Sequence, residues 1–134
     1  MLARMGVPTS LVTVVDDDES VRESLPDLLR EFGVEARTFD SAEAFLAHGD
    51  FGGAQILILD VAMPGMSGPD LHQELQRRGI RIPVIFITAH ADTTTRIDLL
   101  KSGAVDCLLK PFSDQSLRAA LNKAGVRLTG EIHP

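Results

Sequence analysis

The chain has 134 residues, of which 44% are apolar and 24% charged, with a net charge of −6. That length suits a single domain with one sizeable core, and the balance is that of a globular domain, not a disordered chain. The acidic surplus disfavours direct nucleic-acid binding, which needs clustered Lys and Arg. The densest basic spot, Arg77 and Arg78, reads as the solvated end of a helix.

Apolar runs such as "ILIL" at 56–59 are far shorter than the roughly 20 residues that cross a bilayer. The start "MLARMGVPTS" lacks the sustained apolar stretch of a secretory signal, so a cytoplasmic location is expected. A single cysteine, Cys107, agrees with that expectation and gives no support for a zinc site.

In chain order, residues 1–10 read as an N-terminal extension. "LVTVV" at 11–15 is the first predicted strand, and Asp16, Asp17 and Asp18 follow it directly. Val21, Leu25, Leu28, Leu29 and Phe32 keep the spacing of a buried helical stripe that Gly33 ends. Pro26 falls inside that helix, where it removes a backbone donor and should kink it unless it lies near the first turn. "VEARTF" at 34–39 is strand two, and Ser41 is placed to cap "SAEAFLAH".

Strand three, "AQILIL" at 54–59, ends in Asp60, and Pro69 opens a helix that closes on Gly79. Strand four, "IPVIFI" at 82–87, ends in Thr88. Asp92 is placed to cap the next helix, whose first turn holds Thr93, Thr94 and Thr95; these are weak helix formers, so the turn is predicted to fray. Strand five, "VDCLL" at 105–109, ends in Lys110, and Ser113 caps the last helix as far as Gly125. Residues 126–134 form a tail or the start of a linker, too short for an output domain. Five strand–helix repeats with continuous apolar strands predict an α/β fold, a parallel sheet covered by helices on both faces.

In such a sheet, ligands bind beyond the carboxyl ends of the strands. Asp16, Asp17, Asp60, Thr88 and Lys110 all fall at such ends. Three carboxylates about 5 Å apart would repel by roughly 3 kcal/mol per pair at an effective dielectric near 20. A hard divalent cation with oxygen ligands, Mg²⁺, would offset that charge. A calcium EF-hand fits poorly, because its ligands alternate along a loop and these are contiguous.

Asp60, rigidly held before "VAMPGMSG", is suited to attack phosphorus and carry an acyl phosphate. Lys110 could reach a phosphoryl oxygen, and Thr88 offers a hydroxyl. Taken singly, each has a plainer reading: an acidic turn that starts a helix, a turn-capping Asp, a β-forming Thr and an exposed Lys.

Together, "VVDDDESVRESL", "LILDVAMPGMSG", "VIFITAH" and "LLKPF" resemble the receiver domain of two-component response regulators over residues 11–125, in the style joined to a helix-turn-helix output. The resemblance implies a flavodoxin-like doubly wound (βα)5 fold with strand order 2-1-3-4-5 and a cis Lys110–Pro111 bond. It implies that Asp60 accepts phosphate from a histidine kinase. Asp16, Asp17, Asp60 and the Ala62 backbone carbonyl would bind Mg²⁺, and Thr88 and Lys110 would hold phosphoryl oxygens. Ala62 and His90 would border the attacking water. The chain would then be a phosphoacceptor that takes part in its own phosphorylation and dephosphorylation, not an enzyme acting on outside substrates. A homodimer or an output domain would meet the face made by helix four, strand five and helix five.

Cys107 stands where the family usually carries Tyr or Phe, so switching would rest more on the loop and first turn of helix four. The alternative is a receiver-like interaction module that works without phosphorylation. A haloacid-type phosphatase is disfavoured by Ala62, where that class has a second Asp, and a flavin-binding flavodoxin by the lack of Tyr and Trp.

Overall fold

The computed structural model describes residues 11–90 and 93–129. Ten elements alternate: β1 (Leu11–Val15), α1 (Glu19–Glu31), β2 (Glu35–Phe39), α2 (Ala42–His48), β3 (Ile56–Asp60), α3 (Gly68–Arg77), β4 (Val84–Thr88), α4 (Thr93–Lys101), β5 (Asp106–Leu109) and α5 (Asp114–Lys123). The strands form one parallel sheet in the order β2-β1-β3-β4-β5, the predicted doubly wound arrangement.

Alternation along the pleat divides the core in two. Val12, Val14, Ile56, Ile58, Ile85 and Ile87 face one side, where they meet Leu25 and Leu29 of α1 and Leu117 and Leu121 of α5. Val15, Leu57, Leu59, Val84 and Phe86 face the other, against Phe45 of α2, Leu71 and Leu75 of α3 and Leu99 of α4. β3 and β4 are buried throughout, as their apolar runs predict, whereas the edge strand β2 is only partly covered.

β3 and β4 each begin two residues later than their apolar runs suggest. Ala54 closes a turn by donating its N–H to Phe51 O, Gln55 bonds β1 only through its N–H to Leu11 O, and Pro83 has no N–H to give to the ladder. Both strands end as expected, at Asp60 and Thr88.

α1 continues on both sides of Pro26, held by the burial of Leu25 and Leu29. Asp18 is its N-cap, accepting from Ser20 N at 2.9 Å, and Gly33 turns the chain out with φ +85°. Ser41, Ser67 and Ser113 cap α2, α3 and α5. The proposed Asp92 cap lies outside the described residues, as do residues 1–10 and 130–134. The packed body continues past Gly125: Val126 is buried, and Thr129 N donates to Phe32 O at 2.7 Å.

Candidate functional site

Val15 of β1 pairs with Leu59 of β3, so Asp16 and Asp60 leave the sheet side by side. One carboxylate oxygen from each of Asp16, Asp17 and Asp60 lies within 4.8 Å of the others. Asp16 is wholly buried, Asp60 nearly so, and Asp17 exposed. Asp16 is held from three directions. Its Oδ1 accepts from Asp18 N at 2.9 Å, its backbone carbonyl accepts from Arg22 Nη1 at 3.0 Å, and its Oδ2 lies 2.9 Å from Lys110 Nζ.

Lys110 arrives from the far side of the sheet. β5 pairs with β4 so that Leu109 faces Thr88, and Lys110 N then donates to Thr88 O at 2.7 Å. The Lys110–Pro111 bond is cis, as the resemblance implies. Lys110 Nζ also lies 3.5 Å from Asp60 Oδ1, so one ammonium serves both inner carboxylates. Thr88 is buried at the end of β4, one residue beyond Ile87, which pairs with Asp60; its Oγ1 accepts from His90 N at 3.1 Å. Ala62 lies exposed in the turn after Asp60.

Burial, and then the charge of Asp16, push the Asp60 carboxyl up to about 7, against the opposing pull of Lys110. Burial alone would favour neutral Lys110, but its two carboxylate partners outweigh that and raise its proton affinity. Asp16 Oδ2 has no partner in hydrogen-bonding geometry among the described residues; the nearby ammonium is a charge contact. A buried carboxylate oxygen with spare acceptor capacity, beside two further carboxylates, is a donor set suited to a hard divalent cation.

Three further residues also shape the site. Besides Arg22, Gly68 permits α3 to close on the end of β3: a Cβ there would fall 2.2 Å from Asp60 O. Glu43 of α2 reaches across to accept from Met66 N at 2.9 Å, which pins the loop that contains Ala62. A glycine immediately after a serine N-cap is the signal that marks Gly68; nothing local marks Glu43.

Cys107 is buried on β5, and burial pushes its thiol up. Beside it is a cavity of about 210 Å³ bordered by Thr88, His90, Arg96 and Leu109. The small side chain leaves open space next to Thr88.

The family model described as "Response regulator receiver domain" matches residues 12–122. The response regulator protein TodT of Pseudomonas putida is 39% identical over 123 residues, covering 92% of this chain and 54% of that protein. Nodulation protein W of Bradyrhizobium diazoefficiens is 45% identical over 118 residues, covering 88% of this chain and 52% of that protein. The solved structure of FixJ-N superposes with a TM-score of 0.78 at 35% identity, covering 96% of this chain and all of that one. The chain spans about half the length of the curated relatives it matches.

Proposed function

The chain belongs to the family of response regulator receiver domains, which are phosphorylation-dependent signalling switches, and from that premise we propose that Asp60 is its phosphoacceptor. The observation that supports this reading is the convergence of Asp16, Asp17 and Asp60 within 4.8 Å, with Lys110 in charge contact with two of them.

In the step proposed, a carboxylate oxygen of Asp60 attacks the phosphorus of a phosphohistidine on a histidine kinase. The O–P bond forms as the P–N bond breaks, and the imidazole leaves with the bonding pair and takes a proton from water. Lys110 offsets negative charge on the transferred group, and the Thr88 hydroxyl donates to one of its oxygens. Asp16, Asp17, Asp60 and the carbonyl of Ala62 would hold Mg²⁺. When bound, the ion supplies charge neutralisation and lowers the proton affinity of Asp60, so the acceptor is an anion at pH 7. Positioning and electrostatics are then all that the protein has to supply.

The donor reaches Asp60 over a groove of about 690 Å³ between α1 and the residues after β5. Val21, Leu25 and Leu28 line it on one side, Pro111 and Phe112 on the other, and Lys110 lies at its end. This groove, whose apolar walls are edged by Asp18, Asp27, Glu31 and Asp114, suits a kinase segment that carries the histidine. Ile97 and Leu100 of α4 and Leu109 of β5 are exposed large apolar residues, which suits contact of these elements with a second copy or an output domain. Acidic balance and the absence of a basic cluster leave no direct role for this domain in binding nucleic acid.

The test is incubation with acetyl phosphate and Mg²⁺ followed by intact-mass measurement. Gain of one phosphoryl group, absent without metal and absent in Asp60→Asn, is the expected result. Labelling that survives Asp60→Asn removes the assignment. Unlabelled protein that still binds a partner equally well with Asp60→Asn would favour the phosphorylation-independent module.

A further inference from the structure

At the end of the sheet opposite the carboxylates is a cavity of about 570 Å³, between the C-terminal half of α3, the residues that lead into β4, and Gly103 after α4. Leu75, Ile80 and Ile82 give it apolar walls. His72 lines it and is only 7% exposed, yet among the described residues its ring nitrogens take part in no hydrogen bond. The ring meets Phe86 edge-on, with centroids 5.6 Å apart.

Gly103 has φ +108°, and a Cβ built there would lie 4.0 Å from His72 Cε1, the carbon between the two ring nitrogens. The polar edge of the ring therefore faces the Gly103 wall of the cavity. Burial makes the imidazole a weaker base, so at neutral pH it offers one donor and one acceptor nitrogen. At the rim Arg81 is exposed, and its guanidinium has no carboxylate partner among the described residues.

The ring nitrogens open onto the cavity, so they are free to bond to whatever occupies it. Apolar walls, an uncommitted His72 beside a Gln76 amide already bonded to Ser102 O, and one cation without a carboxylate partner at the mouth are features of a small-molecule site. We propose that this cavity binds a small amphipathic carboxylate. Its apolar body packs on Leu75, Ile80 and Ile82, and its carboxylate accepts from Arg81 and from the N–H of His72. The apolar walls exclude strongly hydrated anions such as inorganic phosphate, and the single cation selects against neutral apolar compounds. The site is separate from the phosphoacceptor and needs neither metal nor phosphate.

The test is titration of the ¹⁵N-labelled full chain with benzoate and with hexanoate, and with benzyl alcohol and hexanol as uncharged counterparts. Saturable amide shifts confined to residues 72–83 and 102–104 are expected from at least one carboxylate, with binding weakened about tenfold or more in Arg81→Gln, in His72→Phe and for the matching alcohol. Arg81 is on the surface, so Arg81→Gln keeps the test decisive even if His72→Phe fails to fold. Shifts that never saturate, that scatter over the surface, or that persist unchanged in Arg81→Gln would overturn the proposal.

Discussion

Lys110 Nζ lies 2.9 Å from Oδ2 of Asp16, a carboxylate with no solvent exposure at all. Removing one member of a buried pair leaves the other charged and uncompensated. Lys110→Met should therefore lower stability at pH 7, by about 2 kcal/mol given that the lysine is partly solvated. Saturating Mg²⁺ should recover part of the loss, because a cation bound by the same carboxylates replaces the missing charge. Urea unfolding with and without Mg²⁺ measures both effects; an unchanged midpoint would show that Asp16 is satisfied by other means.

Asp60 gives a pH dependence with a definite sign. Its folded-state value is about 7, against 3.8 for an ordinary aspartate. Between those values the folded chain holds a proton that the unfolded chain has lost, so metal-free stability falls as pH rises from about 4 to about 7 and then levels off. Asp60→Asn lacks this titration. In chelator, the melting temperature of the variant should gain on the wild type across that window and stay above it at pH 8. Metal binding needs the ionised acid, so apparent Mg²⁺ affinity should weaken by up to about tenfold per pH unit below 7. Parallel melting curves from pH 4.5 to 8.5 would contradict the assignment of this group.

The parallel sheet was legible because two signals agreed, continuous apolar runs of strand length and helix caps such as Ser41 and Ser113 between them, whereas the strand order came from the family resemblance. Strand starts were less legible, since composition alone does not say that Ala54 closes a turn or that Pro83 leaves the ladder incomplete. Asp16, Asp60, Thr88 and Lys110 could be picked out because each is a polar residue that abruptly ends an apolar run. Glu43, which fixes the Met66 amide from 23 residues away, and His72, on the buried face of α3, carry no such local mark. Their roles depend on packing between elements, which spacing within one element does not encode.

Gly68 is held by backbone geometry. A methyl group on it would fall 2.2 Å from the carbonyl oxygen of Asp60 and 3.3 Å from Val61 Cα, both main-chain atoms that cannot rotate away. Gly68→Ala should force α3 off the end of β3, at a cost of about 3 kcal/mol. Because the displaced atoms belong to the acceptor residue, labelling by acetyl phosphate should fall as well. Wild-type stability in this variant, seen by denaturant midpoint, would mean that α3 shifts freely.

Cys107 combines burial with a thiol held in its protonated form. Thiolate is the species that reacts, so disulfide-exchange reagents at pH 8 should label the folded chain at least about tenfold more slowly than the urea-unfolded chain. The adjoining cavity also leaves room for a larger side chain. Cys107→Phe should fold with a change below about 1 kcal/mol, less than overpacking a filled core would cost. A larger loss would show that the cavity and the side chain at 107 do not communicate.

α4 buries only Leu99, leaves Ile97 and Leu100 exposed, and is tied to β5 by Arg96, which donates to the Cys107 carbonyl and pairs with Asp106 at 3.3 Å. Its first turn carries Thr93, Thr94 and Thr95, each a few tenths of a kcal/mol poorer than alanine in a helix. The loop before it is joined to the site by the bond from His90 N to Thr88 Oγ1. When Thr88 turns its hydroxyl toward a phosphoryl group, that bond must lengthen or carry His90 with it, and a turn of weak helix formers gives way more readily than the sheet. Hydrogen exchange with and without beryllofluoride should therefore change across residues 93–97. Replacing Thr94 and Thr95 by alanine should raise protection there in the free protein and narrow the difference. Unchanged exchange over this turn, with changes confined to β5, would place the switch at Cys107 instead.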